Sequence, residues 1–215
     1  MPVSVWSKVA VVMQSALSSA QVISAITKAN PGVVTYVGAD PTNGDYLLLT
    51  DVLGMDQVNS RAFRAANVVG GSNTLELEGE NTTSYDTLTS GNLQVVTLGT
   101  SISTILNCTV SGGDPAFIDT TTIHDSVNQQ IIGNFTPTVV TGDLIWDPAN
   151  TAQAAMKAAS DNKEQRVFRF TFANGTKWLF YGYVGLTGAP TGSAQEVVKT
   201  PLIITTNGRL TTYAT

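Results

Sequence analysis

A single aromatic stretch in the second half of the chain constrains the fold more than any other feature. Residues 166–184 consist of two runs of β-branched and aromatic residues that flank Asn174-Gly175. An Asn-Gly pair in this position predicts a β-hairpin closed by a two-residue type I′ turn, because both turn positions need positive φ. The chain is therefore expected to build its core around an antiparallel ribbon.

The turn also predicts which side chains of the hairpin share a face, because directly opposed residues lie on the same side of the ribbon. With Ala173 opposite Thr176, one face carries Phe172 with Lys177, Phe170 with Leu179 and Phe168 with Tyr181, and the other carries Thr171 with Trp178 and Arg169 with Phe180. Large apolar groups occur on both faces, whereas a ribbon with one wet face alternates cleanly between apolar and polar residues. We expect one face to form the core. The face with Arg169, Trp178 and Phe180 is expected to contact a helix or a neighbouring subunit.

A helix is predicted before the hairpin, at about residues 148–161. Asp147 can accept hydrogen bonds from the first free backbone N–H groups, and Pro148 suits the first helical position because it has no N–H. Small or apolar residues recur along one stripe at helical spacing: Ala152, Ala155, Met156 and Ala159. Such a stripe permits close approach of another surface, so these four residues are candidates for a subunit interface.

The chain carries unusually little charge. Lys, Arg, Asp and Glu make up 13% of its 215 residues, about half of the usual ~25%. Either much of the surface is buried against other chains, or the surface is of the Thr-, Ser- and Asn-rich β type. The net charge of −5 gives no support for nucleic-acid binding, which needs a basic patch to displace counterions.

The spacing of turn residues divides the chain into three parts. Residues 1–21 are expected to form an arm or strand, and residues 22–92 read as short strands separated by Gly, Pro and Asn turns, which is typical of a small barrel. Longer strands follow over residues 93–215. Pro201 lies in the last strand, which predicts an edge strand or a bulge there because proline cannot donate to the ladder.

The sequence offers no recognisable catalytic or metal site. His124-Asp125-Ser126 contains the residue types of a hydrolase triad, but neighbours in sequence do not converge as catalysis requires. A lone histidine near Asp114 and Asp119 lacks the partners and spacing of a metal site. Cys108 is the only cysteine, which excludes an intrachain disulfide. We therefore expect no enzyme activity, no cofactor, no metal and no membrane span.

The order of these elements resembles that of a known family. A helix, the strand and turn Arg166–Gly175, the segment Phe180–Val184 and a last strand ending in Thr206–Arg209 are similar to the major tail tube proteins of long-tailed, siphovirus-type bacteriophages. The resemblance covers roughly residues 93–215 and includes Gly112–Asp119. Residues 22–90 are similar to a small β-barrel first described in ubiquitin-activating enzymes, which contributes no catalytic residue and is expected here as an attached surface module.

The tail tube resemblance implies a mainly β fold: a tail-tube-type β-sandwich or rolled barrel with one flanking helix, plus the small all-β barrel. It implies a structural virion protein that forms stacked, hexameric rings around a tape-measure protein. The implied partners are further copies of the chain, the tail terminator, distal tail or baseplate proteins, and phage DNA in transit without specific binding. It also implies assembly in the host cytoplasm and a final location in the virion tail.

Contacts between rings are expected from the polar stretch after Phe117-Ile118, through Asp119, His124, Asp125 and Asn128. A stretch of about 15 residues without a strong period is long enough to carry such contacts. Two alternatives stay open. The chain could be a minor tail or adhesin protein that binds a glycan of the host surface, or the inner tube of a contractile injection system.

Overall fold

A computed structural model describes residues 6–214, which form fifteen β-strands, two short 3₁₀ turns and one α-helix. All strand pairs are antiparallel, and thirteen of the strands belong to one continuous sheet. The predicted mainly β fold with a single flanking helix is confirmed.

Six strands of the first half close into a small barrel. They follow the order β2-β3-β6-β5-β4-β7, and a further pairing of β2 with β7 closes the ring. Closure leaves this part of the sheet without a free edge. The barrel strands are β2 (Gln21–Ile26), β3 (Val33–Val37), β4 (Tyr46–Leu53), β5 (Arg61–Val69), β6 (Thr74–Leu77) and β7 (Ser90–Ile102).

The sheet then continues from β7 through the second half of the chain in the order β7-β1-β12-β13-β14-β11-β8. A short strand, β15, pairs with β13 beyond the end of β14. The strands of this part are β1 (Ala10–Leu17), β8 (Ile105–Ser111), β11 (Val139–Ile145), β12 (Gln165–Thr171), β13 (Lys177–Leu186), β14 (Lys199–Thr206) and β15 (Thr211–Tyr213). Two more strands, β9 (Pro115–Asp119) and β10 (Gln130–Phe135), form a separate two-stranded sheet.

The predicted hairpin forms as β12–β13, but its turn is one residue longer than expected. Phe172 pairs with Thr176 through its N–H (2.9 Å), so the loop contains three residues, and Gly175 alone adopts positive φ (89°). This is a three-residue turn of the bulged type rather than type I′. A shift of one residue moves every side chain of one strand to the other face. The predicted register is therefore wrong.

In the observed register the aromatic rings collect on one face of the hairpin. Phe168 lies opposite Phe180 and Phe170 opposite Trp178, with ring centroids 5.5 Å apart in both pairs. Trp6 adds an edge-to-face contact with Phe172. This aromatic face packs against β1 and the helix to form the main core of the second half. Each fully buried ring contributes roughly 2 kcal/mol of hydrophobic stabilisation.

The helix, α1, spans Thr151–Asp161, so its predicted end is correct and its predicted start is three residues early. Asn150, not Asp147, caps it, because the Asn150 side-chain oxygen accepts the N–H groups of Ala152 (3.0 Å) and Gln153 (3.2 Å). Asp147 instead accepts the N–H of Ala149 and holds the turn before the helix. Asp147 and Asn150 are both residue types that cap helices, and the helix begins after Asn150 because this residue accepts two of the free N–H groups.

Pro201 does not mark an edge strand or a bulge, since β14 pairs with β13 on one side and β11 on the other without a register shift. Successive N–H groups alternate sides along a strand, and the bond from Thr206 to Thr138 places even-numbered residues of β14 toward β11. Pro201 therefore faces the β13 side. Because β13 ends at Leu186, opposite Leu202, no ladder partner is lost at proline.

The two halves share a third core at their junction. Leu48, Ala62 and Val96 of the barrel pack against Val167, Leu179 and Tyr213 of the second half. The long strand β7 also crosses position 92/93, pairing with β4 in the barrel and with β1 beyond it. The division of the chain at that position stays a prediction, but the barrel is joined to the second half by a ladder and a core.

Substitution of Tyr213 tests whether the two halves share a core. Its ring is 6% exposed, its hydroxyl accepts the backbone N–H of Arg64 (2.7 Å), and the Arg64 guanidinium lies 4.8 Å from the ring centre. Tyr213→Ala should lower the free energy of unfolding by about 3–5 kcal/mol in a single transition, measured by chemical denaturation. The control Tyr183→Ala, at a ring that is 47% exposed, should change it by only about 1 kcal/mol. Two separate transitions, only one of them shifted, would contradict the shared core.

Candidate assembly interface

A free-standing hairpin, β9–β10, is the most exposed structured part of the second half. Ile118 lies opposite Ile131 and Phe117 opposite Ile132, and within residues 6–214 neither strand pairs with any other. The sequence predicted a polar contact loop over residues 119–134 and missed the strand β10 inside it. One signal in the sequence could have indicated this strand: the apolar pair Ile131-Ile132 follows the apolar pair Phe117-Ile118 after a polar stretch short enough to be the loop of a hairpin.

Both faces of this hairpin are apolar and open to solvent. Because opposed residues share a face, Ile118 and Ile131 lie on one side of the ribbon, and Phe117 and Ile132 lie on the other. All four side chains are between 52% and 65% exposed. An isolated two-stranded ribbon is marginally stable in water, and contiguous apolar surface of this kind marks an interaction site. The exposed apolar side chains of the hairpin therefore mark it as a candidate interaction surface.

The base of the hairpin is fixed to the body on both strands. Gly112 and Gly113 adopt positive φ (77° and 83°), and a Cβ on Gly112 would meet the carbonyl oxygen of Pro137 at 2.3 Å. The N–H of Thr136 donates to the carbonyl of Asp114 (2.9 Å). The Arg209 guanidinium lies 5.1 Å from the ring centre of Phe135. The hairpin therefore leaves the C-terminal end of β8 in a defined direction.

The tip of the hairpin holds the residues predicted for contacts between rings. Asp119, His124 and Asn128 are exposed, and Asp125 is half-exposed. Asp125 accepts hydrogen bonds from the N–H (2.8 Å) and hydroxyl (2.9 Å) of Thr122, which lower the pKa of its carboxyl. Hydrogen bonds from Thr121 lower the pKa of Asp119 in the same way. The tip is therefore an ordered, negatively charged turn at neutral pH.

The predicted side-chain interface on β12–β13 and the helix is largely corrected by the structure. Phe180, Ala152, Met156 and Ala159 are each less than 5% exposed and belong to the subunit's own core, so they have no free surface for a neighbour. The register shift and the docking of α1 explain this. Trp178 is half-buried against Phe170 and Phe180, and Arg169 lies over the ring of Tyr46. A role of Trp178, Arg169 and Ala155 between subunits stays a prediction.

A groove of about 220 Å³ lies beside the N-terminal half of β8. Strand β8 ends the sheet, so its outer edge carries free backbone N–H and C=O groups among the described strands. Apolar side chains from β1, β7, β8 and β12 line the groove together with Ser103 and Asn107, and Lys8 and Cys108 also border it. The apolar residues of the lining include Trp6, Ile102, Ile105, Leu106 and Phe170.

The described residues do not bring a catalytic or metal constellation together. Residues 6–214 contain no group of three or more His, Cys, Asp or Glu side chains that could hold a metal ion. His124 and Asp125 stand at the exposed hairpin tip rather than in a cavity. Burial raises the pKa of the Cys108 thiol, which disfavours the reactive thiolate. No helix in the described part of the chain is long and apolar enough to cross a membrane.

A β-rich chain with an uncovered apolar hairpin and a free sheet edge has the surfaces of a protein that binds other chains. Comparison with protein families gives the particular assignment: residues 54–215, about three quarters of the chain, match the model of the phage tail tube protein family. The chain belongs to this family. The match begins at Gly54, inside the barrel, and so includes more of the chain than the resemblance over residues 93–215 had indicated.

Two solved structures are similar to this chain, with low sequence identity and low TM-scores. One is the tail of an empty gene transfer agent particle, determined by helical refinement with C6 symmetry, at 16% identity and a TM-score of 0.40 over 54% of this chain and 84% of the other. The second is the virion of a native gene transfer agent particle, at 15% identity and a TM-score of 0.41 over 55% and 88%. Both scores are too low to carry an argument, and no curated protein matches the chain.

Hydrogen exchange of the unassembled subunit tests the uncovered state of β9–β10. Their backbone amides should exchange on the order of 10³-fold faster than those of β12–β13, because a lone ribbon opens locally while the core hairpin opens only with the whole fold. The core hairpin of the same molecule is the internal control. Equal protection of the two hairpins would show that β9–β10 is already sealed within one subunit.

Proposed function

We propose that this chain is the repeating subunit of a virion tail tube, and that its copies form hexameric rings which stack around the channel through which the genome is delivered. Family membership supports the tube, and the single observation that carries the assembly is the hairpin β9–β10 with both faces apolar and uncovered.

The strength of one hairpin contact can be bounded from its exposed side chains. Full burial of a large apolar side chain is worth about 2 kcal/mol. The four central side chains are roughly half exposed, so covering them adds about 4 kcal/mol per hairpin. Alone, that corresponds to a dissociation constant of about 1 mM. A single contact is too weak to hold two subunits, so assembly depends on closed rings in which many such contacts act together.

The free edge of β8 supplies a second kind of contact. An unpaired strand edge pairs readily with a strand of another chain, and it contributes main-chain hydrogen bonds whatever the side chains are. The barrel half has no such edge because its sheet closes on itself. We therefore place the ring contacts on the second half and the barrel away from them, as a decoration.

The outward face of β8, β11 and β14 suits a channel that conducts DNA without binding it. Its cross-strand rows mix apolar residues, such as Ile145 and Ile203, with polar pairs, such as Thr109 beside Thr141 and Asn107 hydrogen-bonded to Asp143 (2.9 Å). Lys199, at the start of β14, is the only Lys or Arg in these three strands. Six copies at −5 each give a ring about −30, which disfavours phosphate contacts.

The proposed partners follow from this role. Copies of the chain contact each other within and between rings, a tape-measure protein occupies the channel during assembly, and the tail terminator and the distal tail or baseplate proteins close the two ends. The subunit is proposed to assemble in the host cytoplasm and to act in the virion tail as a non-catalytic structural protein. A non-contractile tail is the leading hypothesis for the tail type.

The adhesin alternative has little support in the barrel. A glycan site needs exposed aromatic rings in a concavity, but Tyr36 is buried and Tyr85 donates its hydroxyl to Glu80 (2.6 Å). The inner tube of a contractile injection system uses the same kind of subunit, and a sheath gene beside this one would decide for it.

Electron microscopy of the purified protein tests the proposed function. The wild-type chain should form rings or tubes at high concentration or on an initiator complex. Phe117→Asp/Ile132→Asp should reduce tube formation at least tenfold, because charges replace the apolar cover, while the subunit's melting temperature stays within a few degrees.

Val37→Asp is the matched control, since Val37 is equally exposed (63%) but lies on the barrel. It should assemble like the wild type. Tubes formed equally well by the hairpin variant would contradict the role of β9–β10, and a wild-type chain that stays monomeric even with an initiator would contradict the tube itself.

A further inference from the structure

We infer that the groove beside the N-terminal half of β8 receives the hairpin β9–β10 of a second copy of this chain. This inference rests on the proposed function and names the acceptor surface for the same hairpin. Three observations favour this hairpin as the occupant of the groove: the relative placement of hairpin and groove, the size of the groove, and the charges of the two surfaces.

Hairpin and groove lie at opposite ends of one edge strand. The groove is bordered by Ile105–Cys108, at the start of β8, and the hairpin departs after Ser111, at its end. Ile105 and Cys108, the far and near borders of the groove, lie six and three residue steps from Ser111, which is roughly 20 and 10 Å at about 3.3 Å per step. Because the donor and acceptor surfaces are displaced along one strand, a copy can offer its hairpin to one neighbour and its groove to the next, whereas a two-fold pair of copies would use up both surfaces of each. They fit a head-to-tail contact, which repeats from copy to copy along the tube.

The groove has the size for an apolar side chain of the hairpin, and its lining is mixed, with Lys8, Ser103 and Asn107 beside the apolar residues. A cavity of about 150 Å³ lined by apolar groups holds a benzene molecule. The groove of about 220 Å³ can therefore take a ring of the size of Phe117 or a branched chain such as Ile132. Its walls include Ile102, Ile105 and Leu106, so the seated side chain meets apolar atoms.

Charge is complementary at the two surfaces. Residues 114–135 carry Asp114, Asp119 and Asp125 and contain no Lys or Arg. Lys8, at the groove rim, is exposed, and no carboxylate among residues 6–214 pairs with it. An acidic hairpin is attracted to a groove with a cationic rim, and an exposed pair of this kind affects association rate and register more than affinity.

The only cysteine of the chain makes the contact directly testable. Cys108 borders the groove, so a cysteine placed on the hairpin should form a disulfide with Cys108 of a neighbouring copy. Tubes of Ile132→Cys and, separately, Ile131→Cys are treated with copper-phenanthroline at mildly alkaline pH. The two sites lie on opposite faces of the ribbon, and at least one should give a ladder of covalent dimers, trimers and higher multimers on non-reducing gels.

Val37→Cys, on the exposed barrel surface, is the matched control and should give no ladder. Tubes that form normally but yield no ladder with either hairpin cysteine would overturn this docking site while leaving the tube function intact. A disulfide confined to single chains would overturn it as well. Absence of any tubes would instead contradict the proposed function.

A charge reversal tests the same contact without relying on oxidation. Lys8→Glu should slow tube elongation several-fold at low salt, and Asp119→Lys/Asp125→Lys in the same chain should restore the rate. Equal slowing by Lys8→Glu with and without the hairpin lysines would overturn the pairing of these surfaces. Lys163→Glu, at a lysine without an ion pair next to the helix end, is the control and should elongate like the wild type.

Discussion

The aromatic face of the β12–β13 hairpin is the contact on which the rest of the subunit depends. Phe168, Phe170, Trp178 and Phe180 stack across two strands, and the helix and β1 cover them. The opposite face is sealed by barrel residues and Tyr213. Because one chain covers both faces, the central hairpin has little apolar surface left for other subunits, and larger uncovered apolar surfaces lie elsewhere in the molecule.

The uncovered features of the second half include three that lie together: the hairpin β9–β10, the outer edge of β8 and the groove beside it. Each is a weak site on its own, since a few half-exposed side chains give only about 4 kcal/mol. They lie along one edge of the sheet, so each copy can offer its hairpin to one neighbour and its groove and strand edge to another. Weak contacts that repeat around a ring give a stable polymer from subunits that remain soluble singly.

The sequence predicts local elements of this fold better than their faces. The short strands of residues 22–92 and the end of the helix at Asp161 are predicted correctly, because turn residues and periodicity are local signals. The register of β12–β13 fails because Asn174-Gly175 suits both a two-residue and a three-residue loop, and one residue reverses the faces. That error transferred Phe180 from the core to a supposed interface. The strand β10 is not predicted from the sequence because polar and turn-forming residues flank its short apolar pair, Ile131-Ile132.

The central claim is that the apolar faces of β9–β10 are covered by other copies of the chain. A cryo-electron microscopy structure of assembled tubes at side-chain resolution tests it most directly, through the exposed fractions of Phe117, Ile118, Ile131 and Ile132. In the single subunit these side chains are 52–65% exposed. The account predicts that all four become buried against neighbouring subunits. Four side chains that still face the channel or the outer solvent in a fully formed tube would contradict it.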